Sequence, residues 1–136
     1  MRKSHFIFLT VFTLLLNSAN IFGGSRISQE GVQARSDGTN VIISWRADEE
    51  VNLDHYVIQR RTLSGDFTDI AEILPRADRT YEYIDESAYK SSDKIYVYRI
   101  KIVDKDGTIT NTSDIWVYHS VSNVKRTWGS IKALFR

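Results

Sequence analysis

The amino-acid sequence predicts an all-β domain, a seven-stranded antiparallel sandwich, behind an N-terminal signal peptide. Three observations lead there. The first 25 residues have the layout of an export signal. From Ile27 to His119 apolar residues alternate with polar ones instead of recurring at helical spacing. Turn signals at Asp37-Gly38, Asp48-Glu49-Glu50, Ser64-Gly65-Asp66, Pro75 and Asp106-Gly107 cut that stretch into strand-sized pieces.

The signal has three parts. Arg2 and Lys3 form a positive head, Phe6 to Leu16 is apolar except for Thr10 and Thr13, and the small and polar residues Asn17, Ser18, Ala19, Gly23, Gly24 and Ser25 follow. The apolar run is about half the ~20 residues a spanning helix needs. Removal of the segment is therefore expected, with an uncleaved anchor or a buried N-terminal helix as alternatives. Gly23 and Ser25 meet the small-residue rule for a cut after Ser25, with a cut after Ala19 second. The expected organisation is a signal over 1–25, a sandwich over 26–119 and an amphipathic tail over 120–136, possessing no transmembrane segment once processed.

In the body, Gly31 to Ser36 is a weak first strand and Val41 to Trp45 the second, with Val41, Ile43 and Trp45 on one face. Leu53 to Arg61 is the third and Phe67 to Leu74 the fourth, closed by Pro75, which cannot donate to a ladder. Thr80 to Ile84 is the fifth. Ile95 to Val103 is the sixth, with Tyr96, Tyr98, Ile100 and Ile102 facing one way. The seventh spans Thr108 to His119 with an irregularity near Asn111 to Ser113. No internal helix is expected.

Composition narrows the function classes. The 136 residues are 42% hydrophobic and 26% charged, which fits one globular domain. Beyond residue 25 there are 16 Lys+Arg against 17 Asp+Glu, a net charge of −1 that gives little pull on nucleic acid. The absence of cysteine excludes disulfides, thiolate metal sites and a Cys nucleophile.

Three segments carry a family likeness: Ile43-Ser44-Trp45, then Tyr56-Val57-Ile58-Gln59-Arg60, then Tyr96-Val97-Tyr98-Arg99-Ile100-Lys101-Ile102-Val103-Asp104 with Gly107 three residues on. In this order they resemble a fibronectin type III domain, an Ig-like sandwich, of the kind found in exported bacterial proteins. The resemblance implies that Trp45 is the core tryptophan, that Tyr96 is a corner tyrosine bonding nearby backbone, and that Tyr56, Ile58, Tyr98 and Ile100 complete the core between the sheets. The sequence lacks Arg-Gly-Asp, so integrin-type adhesion has no support.

No chemistry-bearing constellation emerges. His55 and His119 are scattered and read as surface or edge residues, short of the three ligands of a catalytic zinc site. Asp104-Lys105-Asp106-Gly107 opens like a calcium loop but returns to strand pattern at Thr108-Ile109-Thr110, and so reads as a hairpin turn. Asp48-Glu49-Glu50 reads as a solvated loop. There is no Gly-x-Ser-x-Gly elbow and no phosphate loop. Neither metal nor cofactor is expected, and the protein is not expected to be an enzyme.

Two apolar features exceed what a sandwich needs. Alternation turns Val57, Val97, Trp116 and Tyr118 outward, with Arg99 and Lys101 nearby; a one-residue slip would reverse this. In the tail, Trp128, Ile131, Leu134 and Phe135 fall near one helical face beside Lys125, Arg126, Lys132 and Arg136. The tail has three readings: it folds back on the domain, docks into a partner as a helix, or lies on an anionic membrane. The expected function is an exported, non-enzymatic module binding another protein, in a periplasmic, cell-surface or extracellular location such as a cell-envelope assembly. A carbohydrate-binding sandwich, with a glycan stacked on Trp116 and Tyr118, is the alternative.

Overall fold

A computed structural model describes residues 23–90, 94–120 and 131–135. The expected strands are present, most with longer ends and the fourth one residue shorter at each end: β1 (Arg26–Ser36), β2 (Val41–Glu49), β3 (Leu53–Thr62), β4 (Thr68–Ile73), β5 (Thr80–Asp85) and β6 (Lys94–Asp104). The seventh strand is split into β7 (Ile109–Asn111) and β8 (Ile115–His119). One three-stranded sheet has the order β1-β2-β5; the other, five-stranded, runs β4-β3-β6, with β7 and β8 both paired to β6. All pairings are antiparallel. Gly38 and Gly107, at φ of 84° and 86°, sit in the two hairpin turns where a Cβ would be strained.

The two inner faces follow from period-two alternation. Val41, Ile43, Trp45 and Ala47 of β2 and Tyr81 of β5 meet Tyr56 and Ile58 of β3, Tyr96, Tyr98, Ile100 and Ile102 of β6, and Val117 of β8. At one end Trp45 and Tyr81 stack at 5.0 Å while Tyr56 meets each edge-on. Both tyrosine hydroxyls donate to Glu50 Oε1, at 3.0 Å from Tyr56 and 2.6 Å from Tyr81. Glu50 is thus no mere loop residue, because the hydroxyls need an acceptor where the rings leave the core. Burial and the Glu50 contact push the Tyr81 hydroxyl up to about 12, so it remains a donor.

The other end holds a buried carboxylate. Asp85 closes β5 and is almost wholly buried. Its Oδ2 accepts from Arg60 Nη1 at 2.5 Å and from the Tyr98 hydroxyl at 2.8 Å. Its Oδ1 accepts from Ser87 N at 3.1 Å and Ser87 Oγ at 2.6 Å. Through these bonds Asp85 starts a short 3-10 helix, Glu86–Lys90, which corrects the expectation of no internal helix. The residue meeting this corner is Tyr98, not Tyr96, and its acceptor is a side chain; the Tyr96 ring lies instead under the Arg60 guanidinium at 5.1 Å.

His119 is a second correction. It is fully buried, with Nδ1 2.8 Å from Ser36 Oγ, because alternation from Ile115 and Val117 puts it on the inner face where β8 approaches β1. No helix among the described residues is long and apolar enough to cross a membrane.

Burial alone raises the Asp85 carboxyl, but the Ser87, Tyr98 and Arg60 hydrogen bonds and the Arg60 charge outweigh it and hold the group below the usual carboxylate range. Its folded value lies below the unfolded one, near 3.9, so its contribution is complete above that pH and is lost as pH falls through the folded value. Asp85→Asn is expected to cost about 3 kcal/mol in urea unfolding at neutral pH by stripping Arg60 of its partner. The loss of stability on acidification should be shallower in the variant.

Candidate binding surface

β8 carries the outward aromatic residues, and its placement depends on a break. Thr112 stands where the last strand leaves β6. Its N donates to Ile100 O at 2.9 Å, and its Oγ1 accepts from Ile100 N at 2.9 Å, so a side chain replaces one rung of the ladder. After this irregularity β8 rejoins β6, with Val97 opposite Trp116 and Ile95 opposite Tyr118. Trp116 and Tyr118 lie on the outer face and are 58% and 63% exposed.

The rest of that face differs from the expected patch. Val57 and Val97 point outward by alternation, yet both are buried. Across the ladder Val97 sits between Arg61 on β3 and Trp116 on β8. The Arg61 guanidinium lies 5.0 Å from the Phe67 ring and 5.6 Å from the Trp116 ring, and Nη2 is 3.2 Å from Asp114 Oδ2. The Arg99 guanidinium lies 3.9 Å from the same Phe67 ring. Arg99 Nε donates to Gln59 Oε1 at 2.7 Å, and Gln59 Nε2 donates to Asp69 Oδ1 at 2.6 Å. Lys101 Nζ reaches Asp69 Oδ2 at 3.1 Å. The Gln59 hydrogen bond, then that of Lys101, holds the Asp69 carboxyl below its ordinary range. Long cationic stems and one aromatic ring therefore cover the two valines.

Arg61, Phe67 and Asp114 were not among the expected site residues. Arg61 is in phase with Val57 and Gln59, so period two does place it on this face. Phe67 precedes β4 and Asp114 lies in the β7–β8 break, where no periodicity operates.

Beside Tyr118 a shallow groove is lined by Thr62, Leu63, Ser64, Lys94 and Ile95. Residues 131–134 form one helical turn. Leu134 and Phe135 are 81% and 85% exposed and so do not pack on the sandwich, whereas Ile131 is 37% exposed. Trp128 lies outside the described residues. The remaining expected residues, Trp45, Tyr56, Ile58, Tyr96, Tyr98 and Ile100, are buried in the core, away from this surface. Among the described residues no group of three or more His, Cys, Asp or Glu side chains is placed to hold a metal ion. His55 sits at the edge of β3, its Nδ1 2.5 Å from Asp54 Oδ2.

The outer layer separates stability from surface. Arg61→Ala is expected to cost about 1 kcal/mol, through two ring contacts and the cover over Val97. Tyr118→Ala, exposed and outside that layer, should stay within about 0.5 kcal/mol of the parent. Paired urea titrations check both.

No family model matches the chain, and no curated protein matches it. Solved structures do. A fibronectin type III-like protein from Clostridium thermocellum aligns at 20% identity and a TM-score of 0.50, over 68% of this chain and 92% of that one. A pectate lyase from Erwinia chrysanthemi, solved with tetragalacturonic acid, aligns at 15% identity and a TM-score of 0.52, over 62% of this chain and 27% of that one. A β-1,2-glucanase from Parabacteroides distasonis aligns at 14% identity and a TM-score of 0.52, over 75% of this chain and 13% of that one. The chain thus spans only a small part of either enzyme. At these identities the likeness is one of fold, and that fold is a fibronectin type III-like β-sandwich.

Proposed function

We propose that this chain is an exported, non-enzymatic interaction module that binds another protein through the outer face of β8 and the tail that follows it, in a cell-envelope setting. The observation that carries this reading is the exposure of large apolar side chains on β8 and on the segment after it. Trp116 and Tyr118 stand on one strand face, and Leu134 and Phe135 project from the segment that continues the chain. Exposed aromatic side chains beside arginine are the composition of interface anchors. The signal-like layout of residues 1–25 supports a location outside the cytoplasm, and the near-neutral body fits a protein partner better than nucleic acid.

A second reading, carbohydrate binding, rests on the same two rings. Trp116 and Tyr118, two residues apart, face solvent beside the Arg61–Asp114 pair, an arrangement suited to stacking on sugar rings with polar groups at their edges. Two of the solved neighbours are carbohydrate-active enzymes, which supports this reading only at the level of a shared module fold.

Full-length protein and a version ending at Ser120 are to be used as bait in an envelope extract. The expected result is a protein retained by the former and reduced at least tenfold with the latter or with Trp116→Ala. Identical empty lanes would overturn the protein-binding reading. Glycan-array binding that disappears in Trp116→Ala would replace it with the second.

A further inference from the structure

The point where the chain enters the sandwich is built around a second buried carboxylate. Asp104 ends β6 and is nearly fully buried. Its backbone is held by the hairpin: Asp104 N donates to Thr108 O at 2.9 Å, Gly107 N donates to Asp104 O at 2.9 Å, and Lys105 N ties the turn to Asn52 O at 2.8 Å. The Asp104 side chain points at the residues just before β1. Its Oδ2 accepts a 3.1 Å hydrogen bond from Ser25 N. Its Oδ1 is buried without a hydrogen-bond partner, as is the hydroxyl of Ser25, itself a buried residue.

One neutral amide is a poor complement for a buried carboxylate, which calls for opposite charge and donors to both oxygens. Among the described residues lining the site, the one cation faces another carboxylate. The pockets around this point are lined by Gly23, Gly24, Ser25, Glu49, Asp104 and Asp106, and the cation of the set, Arg26, is 3.7 Å from Glu49. The chain approaches closely here: a Cβ on Gly24 would lie 2.8 Å from Asp104 Oδ2.

We infer that the Asp104 carboxylate is the receptor for the mature N-terminus, with export processing cutting between Gly24 and Ser25. The inference rests on the export reading above. In the cut, water adds across the peptide bond and the C–N bond breaks. Gly24 leaves with the new carboxylate, and the Ser25 nitrogen becomes an ammonium. That nitrogen already lies on Asp104 Oδ2, and as an ammonium it has three N–H donors and a full charge to share with Oδ1. A cut after Ser25, which the Gly23/Ser25 spacing favours, would instead remove a buried residue and leave Asp104 without this donor. Gly24 supplies the small residue next to the cut, while Phe22 stands at the second position of the rule, so the assignment is carried by the Asp104 geometry and not by the small-residue spacing.

The test is the first residue of the exported protein, read by N-terminal sequencing and intact mass. Ser25 first supports the inference. Any other start, Arg26 or Asn20 included, overturns it while leaving export intact, and an exclusively uncut chain overturns both. A thermal cycle then isolates the charge. Asp104→Asn is measured in the chain Ser25–Arg136 and in the same chain preceded by Gly23-Gly24, where the Ser25 nitrogen is an amide. The fall in Tm should be about 5 °C larger in the first. Equal falls would show Asp104 to be a structural acceptor only and would overturn the assignment.

Discussion

Asp85 is the constraint around which the two sheets are arranged. It belongs to β5 of the three-stranded sheet, and its partners Arg60 and Tyr98 belong to β3 and β6 of the five-stranded one. A buried carboxylate is tolerable only if its charge and lone pairs are met. Once Asp85 is in place the spacing of the sheets, the facing register of β3 and β6 and the start of the 3-10 helix are no longer independent. Arg60 is drawn to the inner face, and its guanidinium then covers Tyr96. The polar requirement of one atom pair thereby orders four elements that apolar packing alone would leave free to slide.

The far end works by another principle. Trp45, Tyr56 and Tyr81 fill the space between the sheets with edge-to-face and stacked rings, and only their rims are polar. Glu50 gathers two hydroxyls on a single oxygen, and Tyr81 also accepts from Arg76 N at 2.8 Å, which joins the β4–β5 loop to the cluster. One end is thus fixed by charge and the other mainly by shape.

Much of the fold was legible because strands repeat every two residues and turns carry their own chemistry. Alternation separates Val117 from Trp116 and Tyr118 on β8, and Asp-Gly pairs mark both tight hairpins. Relations between distant residues were not legible. Nothing local distinguishes Asp85, whose Arg60 partner is 25 positions away, or Asp104, whose Ser25 partner is 79 away. His119 misled because a histidine near a strand end reads as polar, although its phase with Val117 already placed it inside. The outer patch misled in the opposite way. Alternation gives the direction in which Val57 and Val97 point but not what lies above them, and the Arg61, Phe67 and Arg99 cover depends on three strands meeting in register. The binding surface is narrower than the pattern implied for that reason.

The interruption at Thr112 has a consequence for life in a crowded compartment. A sandwich that leaves its last strand open presents a row of unpaired backbone groups to any other extended chain. Here that row is cut: β7 is three residues long and β8 five, and the threonine hydroxyl occupies the gap between them. The edge at the opposite side of the same sheet, β4, carries Asp69 and Glu72. The five-stranded sheet therefore offers an added strand a broken edge at one border and two carboxylates at the other.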